Sequence, residues 1–343
     1  MARDTVRTIA LDPRVYAITV PMGTIGLSTS TCYVVKSGKE ALLVDTGVGT
    51  RASWKALLAA LHGLAVAPER TKVVLTHNHF DHSGNARRLT AAGYKLHLGK
   101  SQLSENAWHA PGVTDSLVEQ RFTQEGFRPI FRLSKLRASL NLLPSQMLPT
   151  GQTQGSAQAS GLLAEYSEGS PIRVGSELLE VVRTQGHSHS DLSFFLRRRG
   201  LLFSGDIVLD KINPGLAFPL TGESPLETYL QSLGKVKALD ARLLLPGHWG
   251  EIANPQAAID RISAHHARKL GFLYEAIANA PGITGRDAIR GIQRDKSRSG
   301  LEALEAVKYT ATVANGLCYL EYLVNMGEIE RTQVGGINRY RAL

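Results

Sequence analysis

Four potential metal ligands crowd into six residues at His77-Asn78-His79-Phe80-Asp81-His82. They follow an apolar run, Val73-Val74-Leu75, and precede Ser83-Gly84-Asn85, which leads into a helical pattern. This reads as a strand that carries a metal site to its own C-terminal tip. In an extended segment residues two apart point the same way, so His77 and His79 can grip one ion together. Asp81 and His82 lie beyond the turn and face elsewhere, and a second ion is their natural use. Imidazole and carboxylate donors suit zinc, and iron or manganese would also accept them. A polar turn with solvated histidines is the structural alternative, but it gives no reason for four ligands behind a buried-looking strand.

The same arrangement recurs along the chain. The apolar run 41–44 ends in Asp45-Thr46-Gly47, and the run 178–182 leads to Gly186-His187-Ser188-His189. Leu201-Leu202-Phe203 stops at Ser204-Gly205-Asp206, and Leu243-Leu244-Leu245 at Pro246-Gly247-His248. Asp45 is placed either to hold a ligand histidine or loop backbone from behind, or to cap the helix that follows, or both. His187 and His189 are two apart, so His-Ser-His could mimic the first His-x-His pair.

The elements that must position these residues are short strands alternating with helices. Strands are expected at 15–20, 31–35, 41–44, 73–75 and 94–98, then at 172–174, 178–182, 192–196, 201–203 and 243–245. Trp54, Leu57, Leu58 and Leu61 recur at helical spacing, with Trp54 as core and Gly63 as the stop. His97, inside a strand pattern, reads as structural. Between about 100 and 169 the pattern changes. Helical stretches near 116–124 and 131–140 give way to a Gly-, Ser-, Gln- and Pro-rich run at 143–156 that cannot build a core. Residues 101–161 are expected to form an inserted flap over the site, with Arg121, Arg128, Arg132, Lys135 and Arg137 as its positive face.

Length and composition fit an enzyme-sized globular protein. The 343 residues accommodate one large domain of roughly 250 residues and a smaller one. The division is expected at 1–255 and 256–343. Cys32 and Cys318, far apart in sequence, give no sign of a disulfide framework or a thiolate zinc site. The N-terminal residues lack the apolar core of a signal peptide, and no run approaches the ~18 apolar residues of a membrane span. A cytoplasmic protein with no membrane partner is therefore expected. The net charge of +9 favours an anionic substrate or partner.

With these residues in order, the chain resembles the metallo-β-lactamase superfamily over roughly residues 5–255. The motifs are Asp45 in Val-Asp-Thr-Gly, His77-x-His79-x-Asp81-His82, His187 in Gly-His-Ser, Asp206 in Ser-Gly-Asp and His248 in Pro-Gly-His. The resemblance implies an α/β fold, a four-layer αβ/βα sandwich with its ligands on loops along one edge. It implies that His77, His79 and His187 hold a first zinc, that Asp81, His82 and His248 hold a second, and that Asp206 bridges them. The aspartate at 206 resembles the dinuclear hydrolase branch, similar to hydroxyacylglutathione hydrolases, whereas a cysteine commonly stands there in true β-lactamases. His189 then becomes a pocket or supporting residue.

The C-terminal part departs from the minimal fold. Helices are expected at 257–278, 286–292 and 301–326, followed by strands on either side of Gly335-Gly336. Helices followed by such a hairpin resemble the winged-helix appendage of several relatives, including mitochondrial endoribonucleases. Arg286, Arg290, Arg294, Lys296 and Arg298 supply charge for nucleic acid, but no aromatic-interleaved basic stripe accompanies them. A homodimer contact or a pocket wall is the other use of such a wing. His265 and His266, in the first of these helices, read as solvated or packed.

Two divalent ions ~3.5–4 Å apart lower the pKa of a shared water enough to supply hydroxide near neutral pH, and they polarise a carbonyl. The leading expectation is therefore a dinuclear zinc hydrolase of a small, anionic ester, thioester or lactone. Asp81 is both ligand and candidate proton shuttle. A single-strand endoribonuclease using the same ions is the second reading, and an iron-dependent sensor or redox protein the third.

Overall fold

The computed structural model describes residues 6–9, 12–23, 28–103, 113–127, 163–219, 222–292 and 306–343. Two sheets pack face to face. The first has seven strands in chain order: β1 (Val6–Ile9), β2 (Asp12–Pro21), β3 (Thr29–Ser37), β4 (Glu40–Val44), β5 (Thr71–Val74), β6 (Lys95–Gly99) and β7 (Leu163–Tyr166). Its first four strands pair antiparallel, and β4 to β7 pair parallel. The second has five: β8 (Pro171–Val174), β9 (Glu177–Arg183), β10 (Leu192–Leu196), β11 (Leu201–Gly205) and β12 (Leu243–Pro246). Only its last pair, β11 with β12, is parallel.

The period of two along each strand decides which layer a side chain joins. Leu42 and Val44 of β4 enter the core between the sheets, where they join Phe194, Leu196, Leu201, Phe203, Leu243 and Leu245. Ala41 and Leu43, one residue out of phase, face the other way and pack with Leu57 and Leu61 of α1 (Arg51–Gly63). Val182, Phe195, Leu202 and Leu244 likewise leave the second sheet's outer face, under α5 (Pro225–Ala238) and α6 (Pro255–Ala278). Strands apolar on both faces are what a sheet covered on both sides requires. The result is the αβ/βα sandwich. Trp54 packs half-buried against the first of these outer clusters.

Shorter helices in the described chain before the C-terminal segment include α2 (Phe80–Ser83), α3 (Ala86–Ala91) and α4 (Val113–Gln124). The expected helix near 131–140 and the polar run at 143–156 lie outside the described residues. So do Arg128, Arg132, Lys135 and Arg137 of the expected positive face. Arg121 does not belong to such a face. It is buried, ion-paired to Glu321 and, at 3.2 Å, to Glu125, because an unpaired guanidinium at that depth would be strongly unfavourable.

Beyond β12 come α6, then β13 (Ile283–Thr284), α7 (Gly285–Ile292), α8 (Ala306–Asn325), β14 (Ile329–Val334) and β15 (Ile337–Ala342). The last two strands form the expected hairpin, and Gly335 and Gly336 both take positive φ, as a two-residue turn of this hand demands. β13 adds to the other side of β15, making a small three-stranded sheet. Ala288, Ile289, Val313, Leu317, Leu320, Ile329 and Tyr340 belong to the same hydrophobic cluster as Phe195, Leu202 and Leu244 of the second sheet. The C-terminal segment therefore shares a core with the sandwich. Arg294, Lys296 and Arg298 lie outside the described residues. Among the described residues no helix is long and apolar enough to cross a membrane.

Candidate metal centre

The segment after β5 begins with Leu75 and Thr76, and the contacts of Thr76 anchor the turn that follows. The Thr76 amide donates to Asp45 Oδ1 at 2.7 Å and its hydroxyl to Asp45 Oδ2 at 2.8 Å. The chain then turns through His77, Asn78 and His79 into α2, whose first turn carries Asp81 and His82. Ser83 closes this turn through its hydroxyl to the carbonyls of Asn78 and His79, both at 3.0 Å. Gly84 has no room for a side chain, because a Cβ there would lie 2.2 Å from the amide nitrogen of Gly49. Asn85 ties the same turn to the loop after β4 through the carbonyls of Thr46 and Val48, each at 2.9 Å.

Asp45 sits behind this turn. Its Oδ2 accepts from His82 Nδ1 at 2.8 Å, and the Thr76 hydroxyl, held by the same carboxylate, lies 3.1 Å from His77 Nδ1. Its backbone has φ of 62°, a left-handed value that a non-glycine residue adopts only when its surroundings enforce it. Of the two uses expected for Asp45, capping the next helix is not the one observed. Thr50 caps α1, with its side chain accepting from the Ser53 amide at 3.2 Å.

The other ligand candidates are oriented by main-chain carbonyls. His187 Nδ1 donates to Gly215 O at 2.7 Å, and His248 Nδ1 to Thr29 O at 3.0 Å. A carbonyl only accepts, so each ring carries a proton on Nδ1 and turns its Nε2 toward the other candidate ligands. Gly186, with φ of 135°, lets the His187 loop press against α5, since a Cβ there would stand 2.5 Å from the Cα of Tyr229. Asp191 folds the same loop by accepting from the Ser188 amide at 2.5 Å and hydroxyl at 2.7 Å.

Among the described residues three overlapping groups of donor atoms result. His77, His79 and His187 form one; Asp81, His82 and His248 form another; His77, His82 and Asp206 overlap both. Within each group the donor atoms lie within 4.8 Å of one another. Asp206 reaches to either side, with Oδ1 3.5 Å from His82 Nε2 and Oδ2 3.8 Å from His187 Nε2 and 3.4 Å from His248 Nε2. His189 stands apart from these groups, partly exposed, with Nδ1 3.7 Å from Glu223. His97 lies in β6, and His266 is buried in α6 against the Tyr319 hydroxyl at 2.9 Å.

The donor set fits metal ions on an observation independent of family. The Nε2 atoms of His77, His82 and His248 and Oδ1 of Asp206 are buried without a hydrogen-bond partner. Such atoms are unfavourable unless something satisfies them, and cations held among these side chains would do so. The electrostatics agree. Burial, with repulsion from neighbouring imidazoles, holds His77 and His79 well below the usual histidine range, so they are neutral donors. Burial pulls on His82 and His248 in the same direction, but the carboxylates of Asp206, Asp81 and Asp45 reverse it, lifting His82 well above its ordinary value and His248 up to about 10. Burial pushes Asp81 and Asp206 up, yet the facing histidines hold both below the usual carboxylate range. One side thus presents lone pairs, and the other presents negative charge that attracts cations.

Comparison with known proteins decides the family, since the metallo-beta-lactamase superfamily profile matches residues 25–248, more than half of the chain. The chain belongs to the metallo-beta-lactamase superfamily. Among curated relatives, an atrochrysone carboxyl ACP thioesterase from Aspergillus fumigatus is 27% identical over 243 residues, covering 70% of this chain and 56% of that protein. The probable metallo-hydrolase YqjP of Bacillus subtilis is 26% identical over 235 residues, covering 67% of this chain and 70% of that one. An acyl-coenzyme A thioesterase from Gallus gallus is 24% identical over 253 residues, covering 71% and 80%. Among solved structures, a metallo-beta-lactamase family protein from Thermus thermophilus superposes with a TM-score of 0.75 at 26% identity, covering 97% of this chain and 100% of that one. A beta-lactamase domain protein from Burkholderia ambifaria superposes with a TM-score of 0.78 at 22% identity, covering 98% and 93%, and so shares the fold. Both likenesses extend through the C-terminal segment.

Proposed function

We propose that this protein is a metal-dependent hydrolase of acyl thioesters. The observation that carries the proposal is the set of partnerless donor atoms buried where His77, His82, His248 and Asp206 meet. His77, His79 and His187 would hold one ion, Asp81, His82 and His248 a second, and Asp206 would face both, with zinc suited to these donors. Bound there, a pair of divalent ions supplies a water acidified to near neutrality and a Lewis acid for the substrate carbonyl.

The chain's own residues do the rest. Asp45 and Thr76 fix the rings of His77 and His82 from behind, while the carbonyls of Gly215 and Thr29 fix His187 and His248. His82 and His248 hold the Asp81 carboxyl below the usual carboxylate range, so it is ionised at neutral pH and offers no proton of its own to a leaving group. That feature favours a leaving group that departs without protonation. A thiol with a pKa of about 8.5 leaves as a thiolate far more readily than an alcohol leaves as an alkoxide. The names of the Aspergillus and Gallus relatives point to the same bond. The net charge of +9 suits an anionic carrier for the acyl group.

The test is metal quantitation on purified protein, joined to a panel of acyl thioester, lactone, β-lactam and RNA substrates. Thioester turnover that disappears on chelation and returns with zinc is the expected result. RNA cleavage without thioester turnover would overturn the proposal, as would redox-active iron in a protein that hydrolyses nothing.

A further inference from the structure

The connection between β11 and α5 carries Asp206 at its start and then runs without helix or strand through the described residues 207–219. A loop of this length is held in shape by what grips it. The grip comes from two C-terminal helices. Arg261 of α6 donates to Leu209 O at 2.6 Å and to Asn213 Oδ1 at 3.0 Å. Asn315 of α8 accepts from the Leu216 amide at 3.0 Å, and the Cys318 thiol, one turn on, donates to Ala217 O at 3.3 Å. The Ala217 amide itself donates to Gly186 O at 2.8 Å, directly before His187 in the chain.

Gly215 lies next to Leu216, and its carbonyl is the acceptor for His187 Nδ1. Asn315, Leu216, Gly215 and His187 thus form an unbroken series from the C-terminal helix to the donor group of His77, His79 and His187. We propose that Asn315 is a positioning residue for the metal centre: by holding the Leu216 amide it aims the Gly215 carbonyl, which fixes the tautomer and direction of the His187 ring. Such a role gives the C-terminal segment a function in the site even though it contributes no residue to any of the three donor groups. Gly215 offers no side chain to lock its own carbonyl, so the orientation depends on neighbours.

The inference rests on the metal-site reading above, and its test reads metal binding without substrate. Asn315→Leu keeps the volume and removes the acceptor, whereas Asn315→Asp keeps an acceptor for the Leu216 amide. Zinc retention is measured by competition with a chelator at a temperature well below unfolding, and the His187 ring nitrogens are followed by nitrogen-15 NMR in zinc-free protein. Loss of a partner directly behind a ligand lowers affinity 10–100-fold, and Asn315 acts one link further back, so a loss of about 10-fold is expected for Asn315→Leu. The Nδ1 resonance should shift toward the unprotonated value, and Asn315→Asp should restore both readouts. Should Asn315→Leu fail to fold, Cys318→Ala serves in its place, with a smaller loss in the same direction. Wild-type retention and an unmoved His187 resonance, with only a lowered Tm, would overturn the proposal. A wild-type protein that takes up no zinc would instead sink the metal reading itself.

Discussion

Asp45 touches no substrate in this account, yet its carboxylate sets two of the histidine rings. Asp45→Asn keeps the size but turns one oxygen into a donor facing the Thr76 hydroxyl and His82 Nδ1, both of which need an acceptor. Zinc affinity should fall 10–100-fold while the fold persists, measurable by chelator competition. His189→Ala should leave zinc content intact, since that side chain stands outside the donor groups; an emptied site would show that the loop is misassigned. His266 gives a stability prediction. Burial, with His265 adding repulsion, lowers it to about 4 against an unfolded value near 6.5. Between those pH values the unfolded chain binds the proton and the folded chain does not, so stability is lost as pH falls through that window. The full effect is on the order of 3 kcal/mol. His97, also lowered to about 4, adds to it. His266→Gln should flatten the fall of Tm between pH 6.5 and 4 without abolishing it. The ligand candidates were legible because histidine and aspartate advertise themselves by type and spacing. The groups that aim them were not, because Thr29 and Gly215 act through backbone carbonyls that every residue has.

Strand ends were legible for a similar reason. An apolar run stopping near a glycine and a histidine or aspartate announces both the strand and its cargo, and β4, β9, β11 and β12 deliver their residues in this way, while β5 leads straight into the histidine cluster. The cap of α1 was harder to place. Asp45 and Thr50 are both N-cap residue types, and only the left-handed turn at Asp45 reveals that its carboxylate faces the other way. The glycines at the strand ends are structural requirements of the site. A Cβ on Gly247 would stand 2.3 Å from His82 Cε1 and 2.7 Å from Asp206 Oδ1. Gly247→Ala should therefore displace those two side chains and lower zinc content, although no ligand is altered. Normal zinc binding in that variant would mean that β12 approaches His82 less closely than described.

Across the whole molecule, one hydrophobic cluster draws residues from both sides of position 255, near which a division was expected. Charge in the inserted region looked like a surface, but a sequence does not show which of its arginines meets a buried acid. Arg121 and Glu125 lie at the end of α4, and Glu321, Arg331, Asn338 and Tyr340 come from the C-terminal helix and hairpin; together they make one buried polar network. Glu321→Ala leaves Arg121 with Glu125 alone among the described residues and strips Arg331 of a 2.6 Å partner, and a loss of about 3–5 kcal/mol is expected from chemical denaturation. A chain ended after Asn254 would expose Phe195, Leu202 and Leu244 to water, so it should aggregate and not fold as a smaller enzyme. All of this architecture serves one claim, that the buried, partnerless atoms of His77, His82, His248 and Asp206 exist to hold cations. The direct measurement is elemental analysis of the purified wild-type chain beside Asp206→Ala, each equilibrated with zinc and freed of excess. Two equivalents are expected in the wild type, and the loss of most of the metal in the variant. A wild type that holds no metal, or an Asp206→Ala chain that holds as much as the wild type, would contradict that claim.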